Sequence, residues 1–202
     1  MENAFNNKDF RYIEDYLKGK ESYIFSRKFK KLINEFPNLK WQIKKLVKNS
    51  DKNIYSIKVF GEKRINGEKY IFESNFNYLF SVNNNKIDEG RIKNLLTTIR
   101  NDQKKIDINF NIPNEVLTGT KYDLDIILNK PLGDTIVAGG IKSYQEQSLL
   151  EEDIILEQLA SGGIFKTTRA PSKETTQIWS GVIVHPDGIV SFTKSVDIVE
   201  RI

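Results

Sequence analysis

The sequence predicts an α+β domain in the first half of the chain and an all-β sandwich in the second half. Three observations support this prediction. Helical spacing of apolar residues is confined to residues 9–36, a pattern with a period of two begins at Trp41, and short apolar runs separated by turn sequences follow from residue 106. The predicted domains are residues 1–103 and residues 104–202.

Two helices are predicted near the start of the chain. The first covers residues 9–17, and Gly19 follows it as a stop signal. The second covers residues 21–36 and ends before Pro37, because proline cannot donate to the helical hydrogen-bond ladder. Its lysines fall mostly opposite its apolar residues, so we interpret it as an amphipathic helix that faces a core. A helix lying on a membrane surface is the alternative.

The period-two pattern predicts an antiparallel meander of four strands, at residues 40–48, 53–65, 68–82 and 86–100. Asn66-Gly67 joins the second strand to the third, and this dipeptide strongly predicts a tight hairpin. Residues 83–85, all asparagine, have the composition of a further turn. On the third strand the aromatic residues share one face, and Glu73 is predicted on the opposite face.

The second half divides into about seven short apolar runs, at residues 106–112, 122–128, 135–144, 154–159, 163–170, 177–184 and 189–199. This number of short strands is typical of an immunoglobulin-like or fibronectin-type sandwich. Residues 145–153 do not belong to any of these runs, and a helical turn is an alternative interpretation for them. Trp179 is predicted to lie in the core.

Composition excludes several classes of protein. The 202 residues include no cysteine, so disulfides, thiolate metal sites and cysteine nucleophiles are excluded. The first residues do not resemble a secretory signal, and no apolar run reaches the roughly 18 residues of a membrane span. We therefore expect a cytoplasmic protein with no membrane span.

The charge is distributed unevenly along the chain. Residues 1–105 contain 23 Lys and Arg against 13 Asp and Glu, a net charge of +10, and the remainder has a net charge of −6. A polyanion-binding surface is one interpretation, and it requires six lysines to form one surface: Lys28, Lys30, Lys31, Lys44, Lys45 and Lys48. We favour an ordinary solvated surface and expect no nucleic-acid partner.

The order of elements in residues 9–100 resembles that of the nuclear-transport-factor-2-like superfamily. The resemblance depends on the two helices, the strand at 51–65, the Asn66-Gly67 turn, the strand at 70–82, and residues 85–89 opening the last strand. It implies a cone-shaped antiparallel sheet around the helices with a pocket at its wide end. It also implies pairing through the outer sheet face, as a homodimer. The fold does not imply an activity, because catalytic and binding members share it.

The pairing of the two domains resembles that in a group of uncharacterised cyanobacterial proteins. The segments that support this resemblance are residues 162–166, residues 170–171 and residues 185–188.

Motifs that suggest chemistry have simpler structural explanations. His185 precedes Pro-Asp-Gly, whose residues each favour a turn, and a single histidine makes a poor metal site. Ser191 and Lys194 match the serine–lysine spacing S-x-x-K, but on a strand these two side chains point to opposite faces. Asp123 and Asp125 alternate along a strand without the loop that calcium requires. We expect no metal, no cofactor and no catalytic residue.

Six aromatic residues are the candidate ligand-pocket residues: Tyr55, Tyr70, Phe72, Phe76, Tyr78 and Phe80. They either fill the core or line a pocket of the cone that holds a small apolar ligand. The predicted function is that of a non-enzymatic binding or interaction protein, with a protein partner bound through the sandwich. The alternative is a small cofactor-independent isomerase or cyclase, which requires an acid with a raised pKa inside the cone.

Overall fold

The computed structural model describes residues 1–46, 53–101, 106–130, 135–144, 153–159 and 162–200. The chain forms two compact units, Met1–Leu95 and Leu96–Ile202. Strands account for 61% of the structure and helices for 14%. The fold is therefore rich in β-structure. The boundary predicted after residue 103 lies outside the described residues.

The first unit begins with three helices, α1 (Glu2–Asn6), α2 (Phe10–Asp15) and α3 (Lys20–Glu35). Asp9 caps α2, because its carboxylate accepts a hydrogen bond from the Tyr12 backbone N–H at 3.1 Å. The two predicted helices are confirmed as α2 and α3, although α2 is shorter than its prediction, and α1 was not predicted. Within the described part of the chain, no helix is long and apolar enough to cross a membrane.

Four strands follow the helices in the order β1-β2-β3-β4: β1 (Lys40–Leu46), β2 (Asn53–Ile65), β3 (Glu68–Asn83) and β4 (Lys86–Arg100). Both predicted hairpin turns are confirmed. Asn66 and Gly67 have φ values of 52° and 85°, and Asn84 and Asn85 have 50° and 60°. Two central residues with positive φ give a type I′ turn, whose twist matches that of the flanking strands.

The predicted α+β cone is wrong. β2, β3 and β4 contain 13, 16 and 15 residues, against the usual length of about 5–6 residues. Only α3, with 16 residues, is long among the three helices. Helical spacing in the sequence correctly indicated where helices occur. The fold class, however, depends on how much of the chain each element occupies, and the long strands place most of it in antiparallel sheet.

The core of the first unit lies between the helices and one face of the sheet. The helices contribute Ile13 and Phe29, and Phe36 directly follows α3. The facing strand residues include Trp41 and Phe72, and the Phe36 and Phe72 ring centroids are 5.1 Å apart. This core is aromatic, as expected where large rings fill the space between layers.

The second unit contains eight further strands: β5 (Ile108–Asn111), β6 (Glu115–Leu117), β7 (Lys121–Leu128), β8 (Ala138–Tyr144), β9 (Glu157–Gln158), β10 (Gly163–Arg169), β11 (Thr175–His185) and β12 (Gly188–Val199). One sheet has the order β12-β11-β8-β9, and a three-stranded sheet has the order β10-β7-β5. The two sheets share one core that includes Leu124, Ile126, Trp179, Ile183 and Val196. Trp179 is 2% exposed, which confirms its prediction as a core residue.

The second unit is all-β with two sheets, as predicted for residues 104–202, but its strand pairing differs from that of an immunoglobulin-like sandwich. β12 pairs along one edge with residues 96–100 of β4, which precede the predicted domain, and then with β6 in parallel. The edge of β12 that does not pair with β11 is thus occupied by two different strands, β4 and β6. The turn predicted at residues 185–188 is confirmed by the pairing of His185 with Gly188. The helical turn considered for residues 145–153 falls almost entirely outside the described residues.

Candidate functional site

Three of the predicted pocket residues form a group of rings on one face of the first unit's sheet. Tyr55 on β2 lies directly opposite Tyr78 on β3, and Phe80 follows two residues later on the same face. The Tyr55 and Phe80 centroids are 5.4 Å apart with an interplanar angle of 18°, and the Tyr78 and Phe80 centroids are 5.6 Å apart. We call Tyr55, Tyr78 and Phe80 the ring cluster.

Burial decreases along both strands toward the ring cluster. On this face of β2, Val59 and Ile57 are buried and Tyr55 is half-buried. On β3 the sequence runs from buried Phe72 to half-buried Phe80. The helices cover the buried end, where their aromatic side chains complete the core. The ring cluster therefore offers accessible aromatic surface next to a packed core.

Gly90 on β4 positions the Tyr78 ring. A Cβ atom at residue 90 would overlap the Tyr78 hydroxyl group. A residue without a side chain is required where a ring approaches the backbone this closely. The absence of a side chain at residue 90 thus leaves room for the phenol of the ring cluster beside β4.

The other predicted pocket residues lie elsewhere. Phe76 is half-buried and packs on the core of the first unit. Phe72 is 7% exposed and belongs to that core. Tyr70 lies at the far end of β3, where its hydroxyl donates to Glu68 Oε2 at 3.3 Å. The structure thus brings together Tyr55, Tyr78 and Phe80, and leaves Tyr70 and Phe72 outside the ring cluster.

Two carboxylates near this sheet, Glu35 and Glu62, form ion pairs with lysines, and a third, Glu73, is exposed. Glu73 is exposed, and it pairs across the strands with Phe60, so its prediction on the outer face is confirmed. Lys63 donates to Glu35 at 2.8 Å and lowers the pKa of that carboxyl group, and Lys69 lowers the pKa of Glu62 in the same way. These interactions favour the ionised form, which is the opposite of what a general acid requires.

The second unit has a polar network within its core that the sequence did not predict. Trp179 Nε1 donates to the Tyr122 hydroxyl at 3.0 Å, and that hydroxyl donates to Gln177 Oε1 at 2.7 Å. Burial raises the pKa of Tyr122, and the hydrogen bond from Trp179 opposes this effect. The network keeps the indole N–H and the phenol hydrogen-bonded in an apolar core.

Lys194 is the buried cation of this core. It is 5% exposed and lies opposite Trp179, and its Nζ donates to Asn114 Oδ1 at 2.5 Å. Burial lowers the pKa of Lys194, and the negative charge of Asp197 opposes this effect. Asp197 is fully buried and accepts a hydrogen bond from Thr176 at 2.8 Å. A signal for Lys194 existed in the sequence, because it shares the even-numbered register of the core residues of β12.

The remaining motifs behave as the strand and turn interpretations predicted. Ser191 and Lys194 lie on one strand three residues apart, and so point to opposite faces. His185 Nδ1 accepts a hydrogen bond from the Asp187 backbone N–H at 3.0 Å within the turn. Asp123 accepts from Thr167 at 2.6 Å across β7 and β10. No group of three metal-ligating side chains occurs within the described ranges.

The six lysines proposed as a polyanion surface do not all share one face. Lys44 and Lys45 are neighbours on β1 and therefore point to opposite faces of the sheet. Lys30 pairs with Glu14 at 3.4 Å. Lys48 lies outside the described residues. The structure thus gives the polyanion interpretation no additional support.

Residues 103–199 match the model of a family described as a domain of unknown function (DUF8623). No curated protein and no solved structure matches the chain. The matched segment lies in the second half of the chain, so the resemblance stated for residues 9–100 stays a prediction.

Proposed function

We propose that the protein is a non-enzymatic binding protein and that the ring cluster holds a small, flat, apolar or aromatic ligand. The observation that supports this proposal is the geometry of the three half-buried rings, with Tyr55 and Phe80 nearly parallel at 5.4 Å. Offset stacking on such rings contributes about 0.5–1.5 kcal/mol beyond the burial of area. We also propose that it acts in the cytoplasm, a compartment in which a fold does not depend on disulfides, and the chain contains no cysteine to form one.

Lys45 defines a further property of the proposed ligand. It is exposed and lies opposite Tyr55 in the β1–β2 register, so its side chain is on the same face of the sheet as the ring cluster. A cation beside stacked rings favours a ligand that combines an aromatic body with an anionic group. We therefore propose an aromatic anion in preference to an aromatic cation.

The test uses 8-anilinonaphthalene-1-sulfonate, an aromatic anion that becomes fluorescent in apolar surroundings. Phe80→Ala removes one ring of the ring cluster, and we expect it to weaken binding at least tenfold. Phe60→Ala is the matched control, since Phe60 is 39% exposed on the opposite face of the same sheet. Circular dichroism verifies that both variants are folded.

Equal affinities for the two variants would place the dye elsewhere and contradict the proposal. Lys45→Gln should weaken binding of the anionic dye but not of an uncharged aromatic dye. Native mass spectrometry of the purified protein adds a direct measurement, because a ligand retained through purification appears as a mass that denaturation releases. The same spectrum gives the number of protomers, and so tests the proposed homodimer.

A further inference from the structure

The outer edge of β1 is closed by side chains instead of by another strand. β1 lies at the end of its sheet and pairs with β2 on one side. On its other side the Trp41 N–H donates to Asn6 Oδ1 at 2.8 Å, and Asn6 Nδ2 donates to the Trp41 carbonyl at 3.1 Å. The Ile43 N–H donates to Glu2 Oε2 at 2.7 Å. Both Glu2 and Asn6 belong to α1.

These contacts reproduce the pattern of an antiparallel neighbour. In such a pair, every second residue directs both its N–H and its C=O to the same side. Trp41 forms both of these bonds with the amide of Asn6, as it would with a strand residue, and Ile43 follows two residues later. α1 therefore occupies the hydrogen-bonding positions at which a further strand would add to the sheet.

The covering helix is small and leaves one polar group without a partner. α1 has five residues, and a helix of this length is not stable without tertiary contacts. Its main anchor is Phe5, whose ring lies 4.6 Å from the Trp41 ring. Among the described residues, the buried Trp41 Nε1 has no hydrogen-bond partner. A buried donor without a partner is costly, so the packing of α1 on Trp41 is less stable than a fully hydrogen-bonded cover would be.

The charges on β1 indicate the kind of partner. Lys40, Lys44 and Lys45 are all exposed, and the residue that α1 places against this edge is an acid, Glu2. A second copy of β1 would bring its own lysines beside these three, and like charges on neighbouring strands are unfavourable. An acidic strand is therefore favoured over a second copy of the same chain.

We propose that the β1 edge is a strand-addition site for an extended acidic segment of a partner protein, and that α1 covers this site until the partner displaces it. The partner segment alternates apolar residues, which replace Phe5 beside Trp41, with carboxylates that face Lys40 and Lys44. This inference is independent of the ligand proposed for the ring cluster.

The test measures the binding of a fluorescein-labelled peptide of alternating valine and glutamate by fluorescence anisotropy. The double variant Glu2→Ala with Asn6→Ala removes the edge contacts of α1, and we expect it to bind the peptide at least tenfold more tightly than the original chain. Asn3→Ala is the matched control, because Asn3 is exposed on the same helix. A valine–lysine peptide should bind none of these proteins.

Hydrogen exchange of the Trp41 and Ile43 amides identifies the bound edge. Exchange should accelerate in the double variant and slow again when the acidic peptide is added. Asn6→Asp, which keeps an acceptor for the Trp41 N–H but removes the donor to its carbonyl, gives a milder variant if the double variant does not fold. Unchanged affinity in the folded variants, equal binding of the lysine peptide, or dimerisation of the opened protein without peptide would overturn the proposal.

Discussion

Lys194 illustrates how one residue can depart from the pattern of its strand. It occupies a core-facing position of β12 between Phe192 and Val196, where apolar residues are usual. It lies opposite Trp179 on β11, and its ammonium group reaches Asn114 where the neighbour of β12 changes from β4 to β6. Asn114 also accepts the Asp197 backbone N–H at 2.8 Å. Lys194 and Asn114 thus join β12 to the segment before β6.

Replacing Lys194 by methionine should change how stability depends on pH. The pKa of Lys194 is lowered in the folded protein, so between that pKa and the ordinary value near 10.4 the unfolded chain binds a proton that the folded chain does not. The free energy of unfolding contributed by this residue therefore rises with pH in that range and falls as pH decreases through the folded pKa.

Urea denaturation between pH 7 and pH 10, followed by tryptophan fluorescence, measures this effect. The free energy of unfolding of the original chain minus that of Lys194→Met should increase with pH. Tyr122 is present in both proteins, so its opposing contribution cancels in this difference. Lys121→Met is the control, since Lys121 is exposed on β7. A constant difference across this pH range would show that Lys194 has the same pKa in both states.

The Tyr122 hydroxyl should contribute measurably to stability. Tyr122→Phe leaves the buried Trp179 N–H without its acceptor and Gln177 without its donor. We expect the free energy of unfolding to fall by about 1–3 kcal/mol. Tyr23→Phe, at a residue that is 65% exposed, should change it by less than about 0.5 kcal/mol. Equal losses in the two variants would contradict a role for the core network.

At the scale of the elements, the sequence predicted the positions of strands better than it predicted which strands pair with each other. Alternation of apolar residues and the Asn66-Gly67 dipeptide placed β2 and β3 within one residue of their observed ends, because both signals are local in the sequence. β6 was missed, since it has three residues and exists through parallel pairing with β12, about 80 residues away. Tyr55, Tyr78 and Phe80 were all among the predicted pocket residues, and the two-residue Asn66-Gly67 turn sets the register that places Tyr55 opposite Tyr78. The sequence did not show which of the six predicted residues the helices would cover, because that depends on tertiary packing.

Asn94 is a strained position inside β4. Its φ of 56° is in the left-handed region, which non-glycine residues rarely adopt within a strand. Asn94→Ala should lower the free energy of unfolding by about 1–2 kcal/mol, because Cβ disfavours this region and alanine lacks the local hydrogen bonds of asparagine. Asn94→Gly is the matched control and should cost less than Asn94→Ala. Chemical denaturation measures the free energy of unfolding of both variants. An equal loss in the two would show that the asparagine side chain, and not the backbone conformation, accounts for the effect.

At the scale of the whole molecule, each unit has its own hydrophobic core. Ile13 is 1% exposed in the first core, and Ile183 is fully buried in the second. Truncating a buried isoleucine to alanine typically costs about 2–5 kcal/mol, since it loses both burial and packing.

Ile13→Ala and Ile183→Ala should therefore each reduce hydrogen-exchange protection most strongly in the unit that contains the substitution. Amide exchange measured by peptide-resolved mass spectrometry reports the two units separately. Identical loss of protection in both units from either substitution would show that the two cores unfold as one.

The central position of β12 has a consequence for the order of folding during synthesis. The ribosome makes residues 96–187 before it reaches Gly188, yet β11, β6 and the end of β4 all pair with β12. At ordinary rates of about 5–20 residues per second, the end of β4 waits on the order of 5 to 20 s for β12, whereas β11 directly precedes β12 and hardly waits. The nascent second unit thus exposes unpaired strand edges during this interval, and a chaperone would protect it most at that stage.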